Sequence, residues 1–325
     1  MKVLISTVPF ARRDVTPLQI LSDAGIDYVV NPLGRKFKRE ELYREISNYD
    51  GLIAGTEVID KTIIQRAQNL KLIARVGIGL DNVDLIAARD SGVEVCYTPD
   101  APSPAVAELT VAMMLTMLRQ VHVSNQQMHS GVWHRYFGRR LSQCSVGIIG
   151  VGRIGKRVLK LLSGFDIENI YVNDIDEKVA LEESDRIVFT DKESIYEQAD
   201  IISIHVPLTE ETRSMIGGRE FSIMKEDAIV VNTSRGGIID EAALFNALNA
   251  NQISGAAIDV FETEPYEGNL KQLENCLLTA HMGSMSVDCR TQMEIEATED
   301  TVRFLQGKGL KRPVPRFEYR NQEGS

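Results

Sequence analysis

Three short polar segments of this sequence carry side chains that could bind a carboxylate and move a proton. Arg235 lies in Asn-Thr-Ser-Arg-Gly-Gly, Glu264 in Phe-Glu-Thr-Glu-Pro, and His281 in Thr-Ala-His-Met-Gly-Ser. A guanidinium binds a carboxylate through two parallel hydrogen bonds, and an imidazole exchanges a proton near neutral pH. A carboxylate beside the imidazole orients the ring and favours its charged form. These residues can therefore act together if the fold brings them together, whereas the alternative for His281 is a structural histidine.

A glycine-rich turn predicts a binding site for a dinucleotide. An apolar run ends at Gly150 and continues through Gly152, Arg153, Ile154 and Gly155 into a helical pattern. In this context the first glycine permits a tight turn, the second lets the backbone approach a pyrophosphate, and the third lets helix and strand pack closely. The pyrophosphate would lie on the free N–H groups of the helix N-terminus.

Asp174 stands at the end of the next expected strand, about 20 residues after the glycine-rich turn. A carboxylate at this position accepts hydrogen bonds from both ribose hydroxyls and repels a 2′-phosphate, which predicts NAD rather than NADP. The alternative is a structural turn followed by a solvated strand end. Hydride transfer by a nicotinamide, proton transfer by His281 and carboxylate binding by Arg235 together make up the reduction of a 2-keto acid.

Short strands alternate with helical segments over most of the chain, a pattern typical of parallel sheets covered by helices. The expected strands are 3–7, 28–30, 52–54, 72–76 and 93–97, then 146–149, 170–173, 201–205, 228–232, 255–260 and 277–279. The expected helices include 17–24, 40–47, 61–67, 83–90, 105–121, 153–162, 195–198, 241–250 and 287–305. The chemically interesting segments follow strands, and ligands of open α/β sheets bind at the carboxyl ends of strands.

The proline-rich stretch 99–104 separates two such series and predicts a domain boundary. The helix expected over 105–121 is apolar on a wide arc, which favours burial between domains or subunits. Its methionines are interpreted as core residues. The six strands expected after it match the number in a complete dinucleotide-binding sheet.

Composition limits the classes of protein that this sequence can encode. A chain of 325 residues with 25% charged side chains predicts about two globular domains, and excludes a collagen-like, coiled-coil or disordered protein. A net charge of −10 argues against a nucleic acid or an anionic membrane as the main partner. The four cysteines form no Cys-x-x-Cys pair, and no zinc site is indicated. With no secretory or membrane-spanning pattern, we expect a soluble, reduced, cytoplasmic protein.

With these motifs in order, the sequence resembles the D-isomer-specific 2-hydroxyacid dehydrogenases, especially their phosphoglycerate-dehydrogenase-like branch. The resemblance covers nearly the whole chain. The segments that carry it are 75–84, 105–109, 150–155, 232–240, 259–265 and 281–284.

The resemblance implies an α/β protein of two Rossmann-like domains. Residues 1–100 plus 285–325 would form a flavodoxin-like substrate domain, discontinuous around an inserted NAD-binding Rossmann domain at 101–284. The active site would lie in the cleft between them. Members of the family are usually homodimers built around the NAD-binding domain, which would suit the apolar helix.

The resemblance also implies roles for individual residues. Arg235 becomes the substrate-binding and catalytic arginine, His281 the general acid and base, and Glu264 its partner. Backbone N–H groups of Val76, Gly77, Ile78 and Gly79 would bind the substrate carboxylate. The residues that match cofactor-lining positions are Gly150, Gly152, Arg153, Ile154, Gly155, Asp174, Val206, Pro207, Thr233, Ser234, Arg235, Asp259, His281, Gly283 and Ser284.

One departure from the family pattern concerns the substrate. The phosphoglycerate branch usually carries an arginine soon after the third strand, whereas this chain has Gly55-Thr56-Glu57 there. The acid at Glu57 argues against a second anionic group on the substrate. The alternatives are therefore a 3-phosphoglycerate enzyme, a glyoxylate or hydroxypyruvate reductase, an enzyme for a bulkier acid, or a non-catalytic NAD(H)-sensing scaffold like the corepressors of this fold.

Overall fold

The computed structural model describes residues 1–176 and 185–323. Its strands are β1 (Lys2–Ile5), β2 (Asp27–Val30), β3 (Gly51–Ala54), β4 (Leu72–Arg75), β5 (Glu94–Tyr97), β6 (Val146–Ile149), β7 (Ile170–Asn173), β8 (Ile187–Phe189), β9 (Ile201–Ile204), β10 (Ile229–Asn232), β11 (Gly255–Ile258) and β12 (Cys276–Leu278). Its α-helices are α1 (Thr16–Asp23), α2 (Arg39–Glu45), α3 (Lys61–Arg66), α4 (Leu85–Asp90), α5 (Ser103–Leu118), α6 (Val121–His129), α7 (Arg153–Leu162), α8 (Lys192–Gln198), α9 (Gly218–Ile223), α10 (Glu241–Asn249), α11 (Val287–Leu305) and α12 (Arg316–Glu323). Short 3-10 helices cover Ile46–Asn48, Leu141–Gln143, Ser163–Phe165 and Asn269–Gln272.

The chain divides into two compact units. The first unit contains Met1–Pro102 and Met285–Ser325, and the second contains Ser103–Ser284. The first unit is thus built from two separate stretches of sequence, with α11 and α12 returning to it. Two parallel-sheet α/β units confirm the predicted fold class.

The first unit has a five-stranded parallel sheet in the order β2-β1-β3-β4-β5. This is the flavodoxin-like order, in which the direction of winding reverses between β1 and β3. All residues of β3 and β4 are buried, as expected for parallel strands covered on both faces. The carboxyl ends of β1, β3 and β4 therefore lie side by side at one edge of the sheet.

The second unit has a seven-stranded parallel sheet in the order β12-β11-β10-β9-β6-β7-β8. Six of these strands, β8-β7-β6-β9-β10-β11, have the order of a dinucleotide-binding sheet. The seventh strand, β12, is added at the edge beside β11. The expectation of six strands was wrong because β8 was missed. This edge strand has only three residues, Ile187–Phe189, none of them buried, so it lacks the apolar burial pattern of its neighbours.

The helix expected over 105–121 begins at Ser103 and ends earlier than expected. It ends at Leu118, and a new helix begins at Val121 after Gln120 takes a left-handed conformation with φ 48°. Its apolar residues, including Met113, Met114 and Met117, lie in the core of the second unit with residues of α7 and β6. The methionines are thus core residues, as predicted, and the expected burial of this helix between domains or subunits stays a prediction.

The described ranges hold neither a membrane-spanning helix nor a metal-binding cluster. No helix in residues 1–176 or 185–323 is long and apolar enough to cross a membrane. In the same ranges no group of three or more His, Cys, Asp or Glu side chains is arranged to hold a metal ion.

Candidate active site

The cofactor and catalytic residues predicted from sequence all follow the carboxyl ends of strands in the second unit's sheet. The glycine-rich turn follows β6, Asp174 follows β7, and Val206 follows β9. Three further segments, 233–235, 259–264 and 281–284, follow β10, β11 and β12. Because these strands are parallel neighbours, one edge of one sheet carries the whole set.

His281 and Glu264 meet at this edge. The Nδ1 atom of His281 lies 3.0 Å from Oε1 and 2.9 Å from Oε2 of Glu264. Both side chains are partly exposed, at 35% and 26%. With Nδ1 facing a carboxylate, Nδ1 carries the proton and donates it, so the tautomer is set by Glu264. Nε2 forms no hydrogen bond with the described residues, and it is the ring atom left to face a ligand.

Asp259 holds the segment that carries His281. Its side chain is fully buried, and its oxygens accept hydrogen bonds from the backbone N–H groups of Met282 at 2.8 Å and Gly283 at 2.9 Å. The hydroxyl of Thr279 donates to the same carboxylate at 2.5 Å. His281 itself has a left-handed backbone with φ 49°, and its N–H donates to the Asp259 carbonyl at 2.8 Å. A non-glycine residue with such a φ costs about 1 kcal/mol or more, and these hydrogen bonds stabilise it.

The turn that carries Arg235 is held in a similar way by Asn232. The Asn232 side chain accepts hydrogen bonds from the N–H and the hydroxyl of Ser234, at 3.0 and 2.7 Å, and donates to the Arg235 carbonyl at 2.9 Å. The guanidinium Nη1 of Arg235 donates to the Ser234 carbonyl at 2.6 Å. A Cβ on Gly236 would lie 2.0 Å from the carbonyl carbon of Phe261. This close approach brings the arginine turn against the segment that leads to Glu264.

The glycine-rich turn fits a dinucleotide by its shape. Gly150 has φ 94°, and a Cβ on it would lie 2.6 Å from the carbonyl oxygen of His205, whereas a Cβ on Gly155 would lie 2.1 Å from the carbonyl oxygen of Gly150. A Cβ on Gly152 would meet nothing within 4 Å. Gly152 is also the N-cap of α7 and provides no side-chain cap. The turn therefore leaves an open approach to free N–H groups, as a pyrophosphate requires.

Asp174 lies against this turn. Its Oδ2 accepts a hydrogen bond from the N–H of Val151 at 2.6 Å, and its Oδ1 accepts one from the N–H of Asp176 at 3.0 Å. Each carboxylate oxygen has a second lone pair. The side chain is thus fixed at the end of β7 and can still accept hydrogen bonds from ribose hydroxyls.

The remaining predicted cofactor positions differ in exposure. Gly152, Arg153 and Pro207 are exposed at the edge of the sheet, while Ile154 and Val206 are partly buried. Thr233 and Ser234 are buried, and the Thr233 hydroxyl lies 2.8 Å from the hydroxyl of Thr110 on α5. Gly283 is buried against Val106, and Ser284 is partly buried. Thr233, Ser234, Asp259 and Gly283 thus all make contacts within the protein.

His205 is a half-buried histidine next to the glycine-rich turn, and its Nδ1 atom is buried. Its Nε2 lies 2.9 Å from the Ser203 hydroxyl, and its Nδ1 has no hydrogen-bond partner among the described residues. Burial lowers the pKa of His205 to about 3. The imidazole is therefore neutral in the folded protein, and it becomes charged near neutral pH only on unfolding.

We expect this histidine to make stability depend on pH. Because its folded-state pKa is depressed, the unfolded chain binds the additional proton between its own pKa of about 6.5 and about 3. Stability falls as pH falls through this window. From pH 7 to pH 5, the free energy of unfolding of the wild type is expected to fall by about 2 kcal/mol more than that of His205→Gln. Urea unfolding at both pH values measures this, and an equal loss in the two proteins would contradict it.

The segment predicted to bind the substrate carboxylate belongs to the first unit, after β4. The N–H of Val76 donates to the Ala54 carbonyl at 2.9 Å, and the N–H of Gly77 donates to the Thr98 hydroxyl at 2.8 Å. The N–H groups of Ile78 and Gly79 form no hydrogen bond with any described residue. Of the four predicted donors, these two are the ones available to a ligand.

Glu57, the acid thought to disfavour a second anionic group on the substrate, points into the first unit. It is 2% exposed. Its Oε1 accepts hydrogen bonds from the Ser6 hydroxyl and from the N–H of Gly55, the latter at 3.0 Å. The carboxylate is occupied inside the protein, so the expectation that Glu57 disfavours a second anionic group loses its basis.

Sequence reasoning did not assign roles to Asn232, Thr279 or Thr110, which position the site. Asn232 could have been found, since an asparagine two residues before a turn residue commonly accepts that residue's N–H. Thr279 and Thr110 carry no such local signal. Their partners, Asp259 and Thr233, are distant in sequence.

Comparison with known proteins gives the family. Residues 111–283 match the model described as the D-isomer specific 2-hydroxyacid dehydrogenase, NAD binding domain. This match lies within the second unit and confirms the prediction of an NAD-binding domain.

Individual relatives extend the similarity to the first unit. A D-3-phosphoglycerate dehydrogenase of Methanocaldococcus jannaschii is 36% identical over 296 residues, covering 90% of this chain and 56% of the relative. The chain thus spans little more than half of that protein. A glyoxylate reductase of Thermofilum pendens is 36% identical over 280 residues, covering 83% of this chain and 82% of the relative. The crystal structure of a glyoxylate reductase from Paecilomyes thermophila superimposes with a TM-score of 0.85 at 27% identity, covering 98% and 99% of the two chains.

Proposed function

The chain belongs to the D-isomer-specific 2-hydroxyacid dehydrogenases, and we propose that it interconverts a 2-keto acid and a D-2-hydroxy acid with NAD(H). The observation that carries this proposal is the contact of His281 Nδ1 with both oxygens of Glu264, at 3.0 and 2.9 Å. This contact presents Nε2 as a proton donor and acceptor at the edge of the sheet that also carries the glycine-rich turn.

In the proposed reaction, His281 transfers the proton and Glu264 positions His281. When bound, the nicotinamide supplies or accepts the hydride at the substrate C2. In the direction of reduction, protonated His281 gives its Nε2 proton to the oxygen that becomes the hydroxyl. Glu264 stabilises the imidazolium before that transfer and keeps Nε2 in place. In the direction of oxidation, neutral His281 takes the proton back.

Substrate binding rests on donors that match a 2-keto acid. The Arg235 guanidinium would hold the carboxylate and polarise the carbonyl, which favours hydride attack at C2. The N–H groups of Ile78 and Gly79 would bind carboxylate oxygens. Asn232 and Asp259 contribute by positioning the Arg235 turn and the His281 segment.

A panel of 2-keto acids with NADH tests the proposal by the decrease in absorbance at 340 nm. The panel contains glyoxylate, pyruvate, hydroxypyruvate, 2-ketoglutarate and 3-phosphooxypyruvate. Turnover of at least one acid, with the D-2-hydroxy acid as product, is the expected result. Binding of NADH without turnover of any acid would overturn the enzymatic proposal and favour an NAD(H)-sensing scaffold.

Asp174 is expected to select NADH over NADPH. Its carboxylate would accept hydrogen bonds from the ribose hydroxyls and repel a 2′-phosphate, and charged hydrogen bonds of this kind change affinity by about 10- to 100-fold. Fluorescence titration should therefore give a lower Kd for NADH. Asp174→Ala is expected to weaken NADH binding and reduce the preference, whereas tighter binding of NADPH by the wild type would contradict the prediction.

We also propose a homodimer formed through the second unit. Between 121 and 137, the exposed apolar side chains are Val121 at 53%, Met128 at 51%, Val132 at 49%, Trp133 at 75% and Phe137 at 100%. Such a set of exposed apolar side chains on one segment is typical of a protein interface.

We also propose that the protein is located in the cytoplasm. There its four cysteines would stay reduced, and all four are free and buried.

Phe137→Glu is expected to convert the dimer to a monomer. A charge placed within an apolar interface is left without a partner on association. Sedimentation velocity measures the mass of wild type and variant. A wild type that sediments as a monomer would contradict the homodimer, and a variant that stays dimeric would place the interface elsewhere.

A further inference from the structure

We propose that Arg12 and Arg13 bind a second anionic group of the substrate, at its end remote from the 2-keto carboxylate. The inference rests on the proposed function and names its substrate class, a dianionic 2-keto acid with a distal carboxylate or phosphate. The two arginines belong to the loop that follows β1 in the first unit.

The position of this loop favours ligand binding. The order β2-β1-β3-β4-β5 reverses its winding between β1 and β3, and open α/β sheets bind ligands at the carboxyl ends of the strands beside this reversal. Strand β4, which precedes Ile78 and Gly79, is two positions from β1, or about 10 Å. One small molecule with two anionic ends can therefore extend from the N–H groups of Ile78 and Gly79 towards the β1 loop.

A buried ion pair on α11 holds the loop in one shape. Arg290 Nε lies 2.7 Å from Glu294 Oε1, and these side chains are 13% and 5% exposed. The remaining donors and acceptors of the pair engage the loop. Arg290 Nη2 donates to the Thr7 hydroxyl at 2.9 Å and to the Pro9 carbonyl, and Glu294 Oε2 accepts from the N–H of Ala11 at 2.8 Å.

The contacts of Arg290 and Glu294 with the loop, called the clamp below, end at Ala11, directly before Arg12 and Arg13. Ala11, which the clamp holds, has a left-handed backbone with φ 52°, a conformation that costs about 1 kcal/mol or more in a residue with a side chain. A loop that served only to connect β1 to α1 would need neither a buried ion pair nor this backbone. Both features fix where Arg12 and Arg13 emerge.

The two guanidinium groups are available to a ligand. Arg12 and Arg13 are exposed, and neither forms a hydrogen bond or an ion pair with the parts of the chain that the structure describes. The neighbouring acid, Asp14, accepts a hydrogen bond from the N–H of Thr16 at 2.8 Å instead. Glu294 is occupied by Arg290 and Ala11. Two adjacent guanidinium groups match the charge and the planar oxygens of a carboxylate or phosphate.

Other charges at this edge of the sheet do not compete for the role. Glu57 after β3 is buried, with its carboxylate bonded to Ser6 and Gly55. Arg35 after β2 is paired with Glu41 at 2.7 Å, and β2 lies one strand farther from β4 than β1 does. Of the loops after β1 and β2, the one that carries Arg12 and Arg13 thus follows the strand nearer to β4.

The test compares matched substrates in charge-removing variants. The chain is assayed as wild type, Arg12→Ala, Arg13→Ala and the double variant. The substrate pairs are hydroxypyruvate with 3-phosphooxypyruvate, and 2-ketobutyrate with 2-ketoglutarate. Arg66→Ala is the control, because Arg66 is an exposed arginine at the end of α3 on the opposite edge of the same sheet.

The expected result is a loss confined to dianionic substrates. The wild type should have a higher kcat/KM for at least one dianionic acid than for its monoanionic partner. The double variant should lower that value by about 10- to 100-fold, mainly through KM, and change the monoanionic value less than about twofold. Arg66→Ala should change neither. Loss with 3-phosphooxypyruvate alone identifies a phosphate site, and loss with 2-ketoglutarate alone a carboxylate site.

Other outcomes would overturn the inference, and they differ from failure of the proposed function. Equal losses for both members of a pair would show a general effect on the loop, and no loss in the double variant would show that the arginines are solvated charges. In both cases turnover of monoanionic acids leaves the dehydrogenase proposal standing. Absence of turnover with every acid would instead overturn the proposed function.

Discussion

Replacing His281 by glutamine is expected to lower kcat by about 10²- to 10⁴-fold, the range typical of losing a general acid. Glutamine has nearly the reach of histidine, and its amide can still donate a hydrogen bond to Glu264. It cannot give a proton to the developing alkoxide at any accessible pH. The loss should therefore appear in kcat and in kcat/KM, while the Kd for NADH changes little.

Two companion variants make the result specific. His129→Gln removes an exposed imidazole at the end of α6, and its activity should stay close to that of the wild type. Glu264→Gln keeps the shape of the partner but not its charge, so it should lower kcat less than His281→Gln does. Near-normal turnover by His281→Gln, with NADH still bound, would contradict the assignment of His281 as the acid.

The sequence was sufficient to predict the glycine-rich turn of the second unit with its strand and helix, because these signals are local. An apolar strand, three spaced glycines and a helix follow one another from Val146 to Leu162, and the structure has β6 and α7 at those bounds. Local patterns were weaker for β8, whose three residues are not buried. They were also weaker at Gln120, where a left-handed residue divides a long apolar pattern into two helices.

Side-chain direction was beyond sequence reasoning, because it depends on contacts between distant segments. The sequence placed Glu57 at a ligand edge, but only the fold shows that Ser6 and Gly55 take up its carboxylate. In the same way, Asp259 matched a cofactor-lining position, yet its oxygens bind Thr279, Met282 and Gly283. Glu57 thus acts as an internal acceptor, whereas the cofactor-lining role of Asp259 stays a prediction beside these contacts.

Contacts within the fold also reduce the number of backbone donors available at the predicted carboxylate site. Four consecutive backbone donors match the family pattern, and the fold uses two of them, Val76 and Gly77, to join the loop to β3 and to Thr98. A rigid loop with two remaining donors, Ile78 and Gly79, is better suited to bind one carboxylate than four mobile donors would be, because less entropy is lost on binding.

Replacing Arg235 by glutamine is expected to lower kcat/KM by about 10²- to 10³-fold, through both a higher KM and a lower kcat. The guanidinium would bind the carboxylate and stabilise charge on the carbonyl oxygen as hydride arrives, so its loss weakens ground-state binding and the transition state together. Arg235→Lys should recover only part of the loss, because an ammonium keeps the charge without the two parallel donors. Since Nη1 of Arg235 is already bonded to the Ser234 carbonyl at 2.6 Å, the angle of the guanidinium plane is set before substrate binds.

Comparing Arg235→Gln, Arg235→Lys and Arg157→Gln by kcat/KM and by the Kd for NADH distinguishes lost substrate binding from a damaged fold. Arg157→Gln removes an exposed arginine of α7 in the same unit and should leave kcat/KM within about twofold, as surface substitutions usually do. The Asn232 side chain bonds the carbonyl of Arg235, not its guanidinium, so the turn should keep its shape in Arg235→Gln and the Kd for NADH should hold. A lysine variant as active as the wild type would show that charge alone suffices. Equal losses in NADH binding and in turnover would show that the turn had collapsed, and Arg235 would then be a structural residue of the NAD-binding unit.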